Sequence, residues 1–157
     1  MSKTTLVTGG AGFIGSHIVD RLLHLDHDVI VVDNESSEGH DDYFWNPKTE
    51  NHRVDIRDFG ALSPLFAGVD YVFHLAAKAS VQASVDDPLP TISTQVMGTA
   101  NVLEAARLGG CEKLVYSSTS ACYGNKNPIP NNETMSEDPL TAYAIRKLCG
   151  EQLVSAY

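Results

Sequence analysis

Three glycines spaced three apart, Gly9, Gly12 and Gly15 in "TTLVTGGAGFIGSHIV", constrain this chain more than any other feature. A β-branched run, 4–8, precedes them. Residues 12–25 follow with Phe13, Ile14, His17, Ile18, Val19, Leu22 and Leu23 at helical spacing. A strand that turns on glycine straight into a helix leaves the first helical N–H groups unpaired and the positive dipole end open, a seat for phosphate. In such a turn Gly9 permits the tight exit from the strand, Gly12 leaves room for a pyrophosphate, and Gly15 lets the helix pack closely. A glycine-rich turn that binds nothing is the plainer alternative. An acid closing the next strand decides against it, because strand, glycines, helix and acid together form a dinucleotide fingerprint.

That acid is Asp33, at the end of "DVIVVD" (28–33). Its carboxylate can accept from both adenosine-ribose hydroxyls and would repel a 2′-phosphate. Glu35, Glu38, Asp41 and Asp42 follow it, and no Arg or Lys lies between Asp33 and Lys48. NAD rather than NADP is the expected cofactor.

The rest of the chain alternates. Further strands are expected over 52–56, 70–77 and 112–118. Helices are expected over 58–68, over 90–108 with a stop at Gly109–Gly110, and from near Thr141 onward. Residues 34–50 and 124–139 read as loops. This alternation predicts an α/β fold: a Rossmann-type doubly wound parallel sheet of about five strands, covered on both faces. Residues 1–157 form one domain, with ligand bound beyond the carboxyl ends of the strands. Twenty acidic residues oppose eleven basic ones, for a net charge of −9. Such a surface repels phosphate backbones and anionic lipids, so neither nucleic acid nor membrane is an expected partner. No apolar run approaches bilayer-spanning length, and Met1–Thr5 leads into a strand without a signal-peptide pattern. Cys111, Cys122 and Cys149 are odd in number and lack metal spacing, which predicts reduced thiols in the cytoplasm and no metal site.

A second constellation lies in "PLTAYAIRK", where Tyr143 and Lys147 stand four apart and share a helix face. A free tyrosine, with a pKa of about 10, is a poor base; a neighbouring ammonium favours the phenolate. Alone, a surface Tyr–Lys pair is the commoner reading. The stretch "SSTSACYG" (117–124) shifts the balance, because it places hydroxyls at a strand's carboxyl end, where the ligand is expected.

Taken together these motifs resemble the extended short-chain dehydrogenases/reductases, specifically the NAD-dependent sugar-nucleotide epimerases and dehydratases. The matching segments are "TGGAGFIG", "VVDN" (31–34), "DIRD" (55–58), "HLAA" (74–77), "SSTSACYG" and "YAIRK". The resemblance implies that Gly9, Gly12, Phe13, Ile14, Gly15, Asp33, Asn34, Asp55, Ile56, Leu75, Ala76, Ala77, Tyr143 and Lys147 hold NAD, with Asp55 on the adenine. It implies that Tyr143 removes a proton from a sugar hydroxyl, that Lys147 holds the nicotinamide ribose and tunes the tyrosine, and that Thr119 bonds the reacting sugar oxygen. Related dehydratases carry acids directly after that threonine, and decarboxylases keep a Glu there. Ser120 and Ala121 stand here instead, and neither is a carboxyl acid or base, which favours epimerisation of a UDP-hexose.

Two departures stand out. Gln95 in "TQVMGT" replaces the family's usual Asn. The chain also stops at Tyr157, whereas family members continue into the last strands and a substrate-binding domain. An inert NAD-binding module, or a nucleotide-sugar reductase or decarboxylase, are the alternatives. The helices over 90–108 and after Thr141 resemble those that pair in family homodimers. His74 is expected to pack beside the cofactor; Lys78, Ser80 and Ser84 lie in a segment resembling the substrate-adjacent loop.

Overall fold

Four apolar runs and one polar one form a single parallel sheet in the computed structural model, which describes residues 2–37, 42–80 and 82–157, the side chains of Ala83 and Ser84 excepted. Glu38 and Asp41 lie outside the described residues. The strands are β1 (Thr4–Thr8), β2 (Asp28–Asp33), β3 (Glu50–Arg53), β4 (Tyr71–His74) and β5 (Lys113–Tyr116). Their order is β3-β2-β1-β4-β5, all parallel, so the direction of winding reverses between β1 and β4. Between the strands run α1 (Phe13–Leu23), α2 (Phe59–Leu62) with a 3₁₀ turn (Ser63–Phe66), and a broken helical stretch. That stretch comprises α3 (Ala83–Asp86), α4 (Pro88–Ile92), a π turn (Ser93–Gly98) and α5 (Thr99–Gly109). The chain closes on α6 (Ala142–Ala156).

Alternation along the strands sorts the core into two layers. Leu6, Ile30, Val32 and Val72 face Leu62, Phe66, Val102 and Ala105 on one side; Val7, Val29 and Val31 face Val19 and Leu22 of α1 on the other. This is the doubly wound arrangement expected from the alternating pattern.

Element boundaries differ from the sequence expectation for physical reasons. The third strand is Glu50–Arg53 rather than 52–56; it is an edge strand, and Val54 and Ile56 leave it to pack into the core. The fourth stops at His74 rather than Ala77, because β1 beside it has entered the glycine turn. Its last bond runs from the Leu75 N–H to the Thr8 carbonyl, at 3.0 Å. The fifth is trimmed to Lys113–Tyr116. The single helix expected over 90–108 is broken. Pro88 and Pro90 cannot donate to a continuous ladder, and the hydroxyls of Thr91, Thr94 and Thr99 bond back to the carbonyls of Pro88, Pro90 and Gln95. The stop at Gly109–Gly110 is observed, with Gly110 left-handed at φ +73°.

Candidate functional site

The carboxyl ends of β1, β2, β4 and β5 open onto a cleft of about 290 Å³ at the reversal point. The glycine turn forms one wall, through Gly9, Gly12, Phe13, Ile14 and Gly15. Asp33, Asn34 and Ile56 form a second, and Leu75, Ala76 and Ala77 a third. Ser36, Ser37, Tyr43, Val54, Thr94 and Ser117 complete it; the sequence pattern singled out none of these as cofactor residues.

Gly9 sits at φ +70°, and a Cβ there would lie 2.8 Å from the Ala76 nitrogen. A Cβ on Gly15 would collide with the Gly9 carbonyl and stand 2.7 Å from the Gly10 Cα. The third glycine therefore lets the helix close onto the turn's own backbone, a tighter constraint than helix-on-sheet packing. The start of α1 has no side-chain cap and no acidic residue in its first turn. Phe13 and Ile14, 67% and 61% exposed, leave that end open. Uncapped N–H donors at a helix's positive end, bordering a cleft, fit the diphosphate of a dinucleotide.

Asp33 is locked to the same turn. One carboxylate oxygen accepts from the Ala11 N–H at 3.2 Å and the other from the Glu35 N–H at 2.8 Å. Asn34 donates to Asp55 at 2.9 Å. Asp55 is not in the cleft wall. Its carboxylate accepts from the Arg57 guanidinium at 2.7 and 3.0 Å, and that neighbour, outweighing burial, holds it down at a pKa of about 2. The sequence shows no basic residue between Asp33 and Lys48, yet the fold brings one in. Arg53 is the register partner of Asp33 across β2 and β3, and its guanidinium lies 2.7 Å from the Glu35 carboxylate.

Below the cleft floor runs a buried relay. The Ala76 N–H donates to the Thr8 hydroxyl at 3.3 Å, and that hydroxyl lies 2.7 Å from His74 Nδ1. His74 Nε2 lies 3.0 Å from the Thr99 hydroxyl, which gives its one proton to the Gln95 carbonyl at 2.7 Å. Thr99 can therefore only accept from His74. This assigns the proton to Nε2 and leaves Nδ1 to accept from Thr8. Burial pushes His74 down to a pKa of about 3, with Lys147 adding to the shift, so it is neutral at ordinary pH. The Gln95 side chain donates to the Lys78 carbonyl at 3.0 Å and accepts from Arg146 Nε at 3.0 Å. The added methylene relative to Asn is thus used to span from the segment after β4 to α6. Among the described residues, Arg146 Nη2 is the one buried side-chain nitrogen or oxygen left unpaired.

Helix α6 starts at Thr141, whose hydroxyl accepts from the Ala144 N–H at 3.1 Å. One turn further, Lys147 is 4% exposed. Its ammonium donates to the Ser117 carbonyl at 2.7 Å and lies 4.8 Å from the Tyr116 ring centre. Burial lowers it to a pKa of about 8, against the opposing fields of Cys122 and Glu151. The ammonium makes no hydrogen bond to Tyr143, one helical turn earlier on α6. The half-buried Tyr143 hydroxyl has no hydrogen-bond partner among the described residues. Thr119 accepts from the Ala121 N–H at 3.2 Å, capping the 3₁₀ turn Ser120–Tyr123, and its own proton is uncommitted. That turn docks on α6 through Cys122 and the Ala144 carbonyl. Ser117 is in the cleft wall; Thr119, Tyr143 and Lys147 are not, and Lys147 reaches it through Ser117. All three cysteines are free thiols. No helix among the described residues is long and apolar enough to cross a membrane, and no group of three or more His, Cys, Asp or Glu among them could hold a metal ion.

Comparison with known proteins agrees with this architecture. Residues 5–157 match the model of the NAD dependent epimerase/dehydratase family. The UDP-glucose 4-epimerase of Mycolicibacterium smegmatis is 41% identical over 159 residues, covering 98% of this chain and 50% of that protein. The structure of UDP-glucose 4-epimerase with UDP-glucose from Thermotoga maritima superposes with a TM-score of 0.90 at 37% identity, over 98% of this chain and 50% of that one. The Thermus thermophilus UDP-glucose 4-epimerase complex with NAD gives 0.87 at 38% identity, again over 98% and 50%. The chain spans about half the length of the relatives it matches.

Proposed function

The chain belongs to the NAD dependent epimerase/dehydratase family, and from that premise we propose that it is the cofactor-binding part of an NAD-dependent nucleotide-sugar 4-epimerase. The observation that carries this reading is the uncapped start of α1, open to a cleft whose wall includes Asp33 and Ser117. NAD, when bound, supplies the hydride acceptor and donor. The uncapped N–H groups of Phe13 and Ile14 would hold the diphosphate, with Gly12 leaving room for it while its own N–H bonds the Gly9 carbonyl at 3.2 Å, and Asp33 would hold the adenosine ribose. Asp55 acts by fixing Asn34 at the adenine end. Lys147, anchored on Ser117, presents its charge to the nicotinamide ribose. Tyr143 takes the proton from the sugar hydroxyl being oxidised and returns it after the keto-sugar has turned. Thr119 donates its uncommitted proton to that sugar oxygen. Ser120 and Ala121 offer no acid for elimination of water, which favours epimerisation over dehydration.

A UDP-hexose is the proposed substrate, from the relatives named UDP-glucose 4-epimerase. A homodimer is proposed too, since Leu89, Ile92 and Met97 on the broken helical stretch and Ile145 on α6 are exposed and apolar. The cytoplasm is the proposed compartment, in keeping with free thiols. The test is a chimera joining residues 1–157 to the second half of the Thermotoga maritima enzyme. It should interconvert UDP-glucose and UDP-galactose, and its Tyr143→Phe variant should not. A folded chimera that binds NAD but leaves both sugars unchanged contradicts the assignment.

A further inference from the structure

We propose that Glu35 is a cofactor-specificity residue, acting by occupying Arg53, the cation that the fold places to meet a 2′-phosphate. The inference rests on the cleft being an NAD site, with Asp33 at the adenosine ribose. Alternation along β2 places Asp33 on the same sheet face as Val29 and Val31, the α1 side. Arg53 is its register partner in a parallel pair, so its side chain starts from the same face, one strand spacing away. A guanidinium there is the standard partner for a 2′-phosphate.

It is already taken. Glu35 holds Arg53 at 2.7 Å with one oxygen and accepts from the Trp45 indole N–H at 2.8 Å with the other. The Glu35 side chain is 22% exposed against 69% for Arg53, so the acid is the enclosed member of the pair, held on its other oxygen by Trp45, and the arginine the solvent-facing one. Glu35 also adopts φ +53°, unusual for a residue with a Cβ, and its N–H is bonded to Asp33. Selection against NADP thus has two layers: Asp33 repels the 2′-phosphate, and Glu35 withholds the cation that would offset that repulsion. The identity of residues 34–48 does not reveal the second layer, because Arg53 arrives from the next strand.

The test is dinucleotide binding by the chain as it stands, read as the ratio of NADP to NAD dissociation constants. Glu35→Gln keeps an acceptor for Trp45 and removes the charge that holds Arg53. It should tighten NADP about tenfold, the effect of one charge-assisted hydrogen bond, with NAD changed less than about twofold. The gain should vanish in Glu35→Gln/Arg53→Ala. Asp42→Asn removes an equal charge from the same loop without freeing Arg53, and should give a smaller gain. Arg53→Ala alone should never tighten NADP. An unshifted ratio in Glu35→Gln, or a gain that survives loss of Arg53, overturns the inference while leaving NAD binding by the unaltered chain intact. If the unaltered chain binds neither dinucleotide, the cofactor reading falls and this inference with it.

Discussion

The glycine turn lines the cleft and the start of α6 meets it through Ser117, but they are held in place by different means. Around the turn, constraints fall on backbone atoms: Gly15 closes on the Gly9 carbonyl, and the Asp33 carboxylate accepts from the N–H groups of Ala11 and Glu35. At α6 the constraints are side-chain bonds across long stretches of sequence. Lys147 reaches a carbonyl 30 residues away, and Arg146 a glutamine 51 residues away. The surroundings differ as well. Strand β1 is paired on both sides, whereas β5 is a sheet edge with Val115 46% exposed. The glycine turn is therefore set by steric necessity, and the start of α6 by a buried polar network that single substitutions can unpair.

The sharpest break in that contrast is at the turn. Gly15→Ala forces backbone against backbone, and should cost about 3 kcal/mol of stability and abolish dinucleotide binding. Denaturant melts with and without NAD check both. In the polar network, His74→Leu leaves the Thr8 hydroxyl, with its Ala76 bond, and the Thr99 hydroxyl without their shared partner. A loss of about 2 kcal/mol follows, visible in the same melts. A substitution there that cost nothing would show that the relay does not hold the floor of the cleft.

The third expectation concerns pH. Burial lowers the Lys147 pKa to about 8 from 10.5. The folded chain therefore releases this proton before the unfolded chain does. The burial cost is full below pH 8 and is relieved between about 8 and 10.5. The ammonium proposed to meet the ribose is lost over the same rise, so on that proposal NAD affinity should fall about tenfold between pH 7 and 9. In Lys147→Met it should be weaker and flat. His74 contributes no titration in that window, being neutral throughout. The smallest effect belongs to Tyr143→Phe. With no hydrogen bond to lose, it should change stability by less than about 0.5 kcal/mol and leave NAD affinity unaltered. A larger change would mean that Tyr143 is part of the scaffold.

The same contrast decides what could be read from the sequence. The glycine turn, Asp33 and the parallel α/β order were legible because local spacing dictates them. The boundaries of β3 and β4 were not, since they depend on which neighbour is present to accept a bond. Lys147 was legible as a candidate, but its anchor was not: burial beside Tyr116 directs it to the Ser117 carbonyl, 30 residues away. Gln95 stood out as a departure, and only the fold reveals Arg146 as the residue it reaches. Arg53 was invisible for a related reason, because register across β2 and β3 brings it to Asp33.

Thermal melting of this chain with NAD, with NADP and with neither tests the central claim most directly. A ligand that binds only the folded state raises the melting temperature, by about 2.7 kcal/mol of stability at a hundred times its dissociation constant. The account predicts a clear upward shift with NAD and little or none with NADP at equal concentration. A folded chain whose melting temperature NAD leaves unmoved, or that NADP stabilises more, would contradict it.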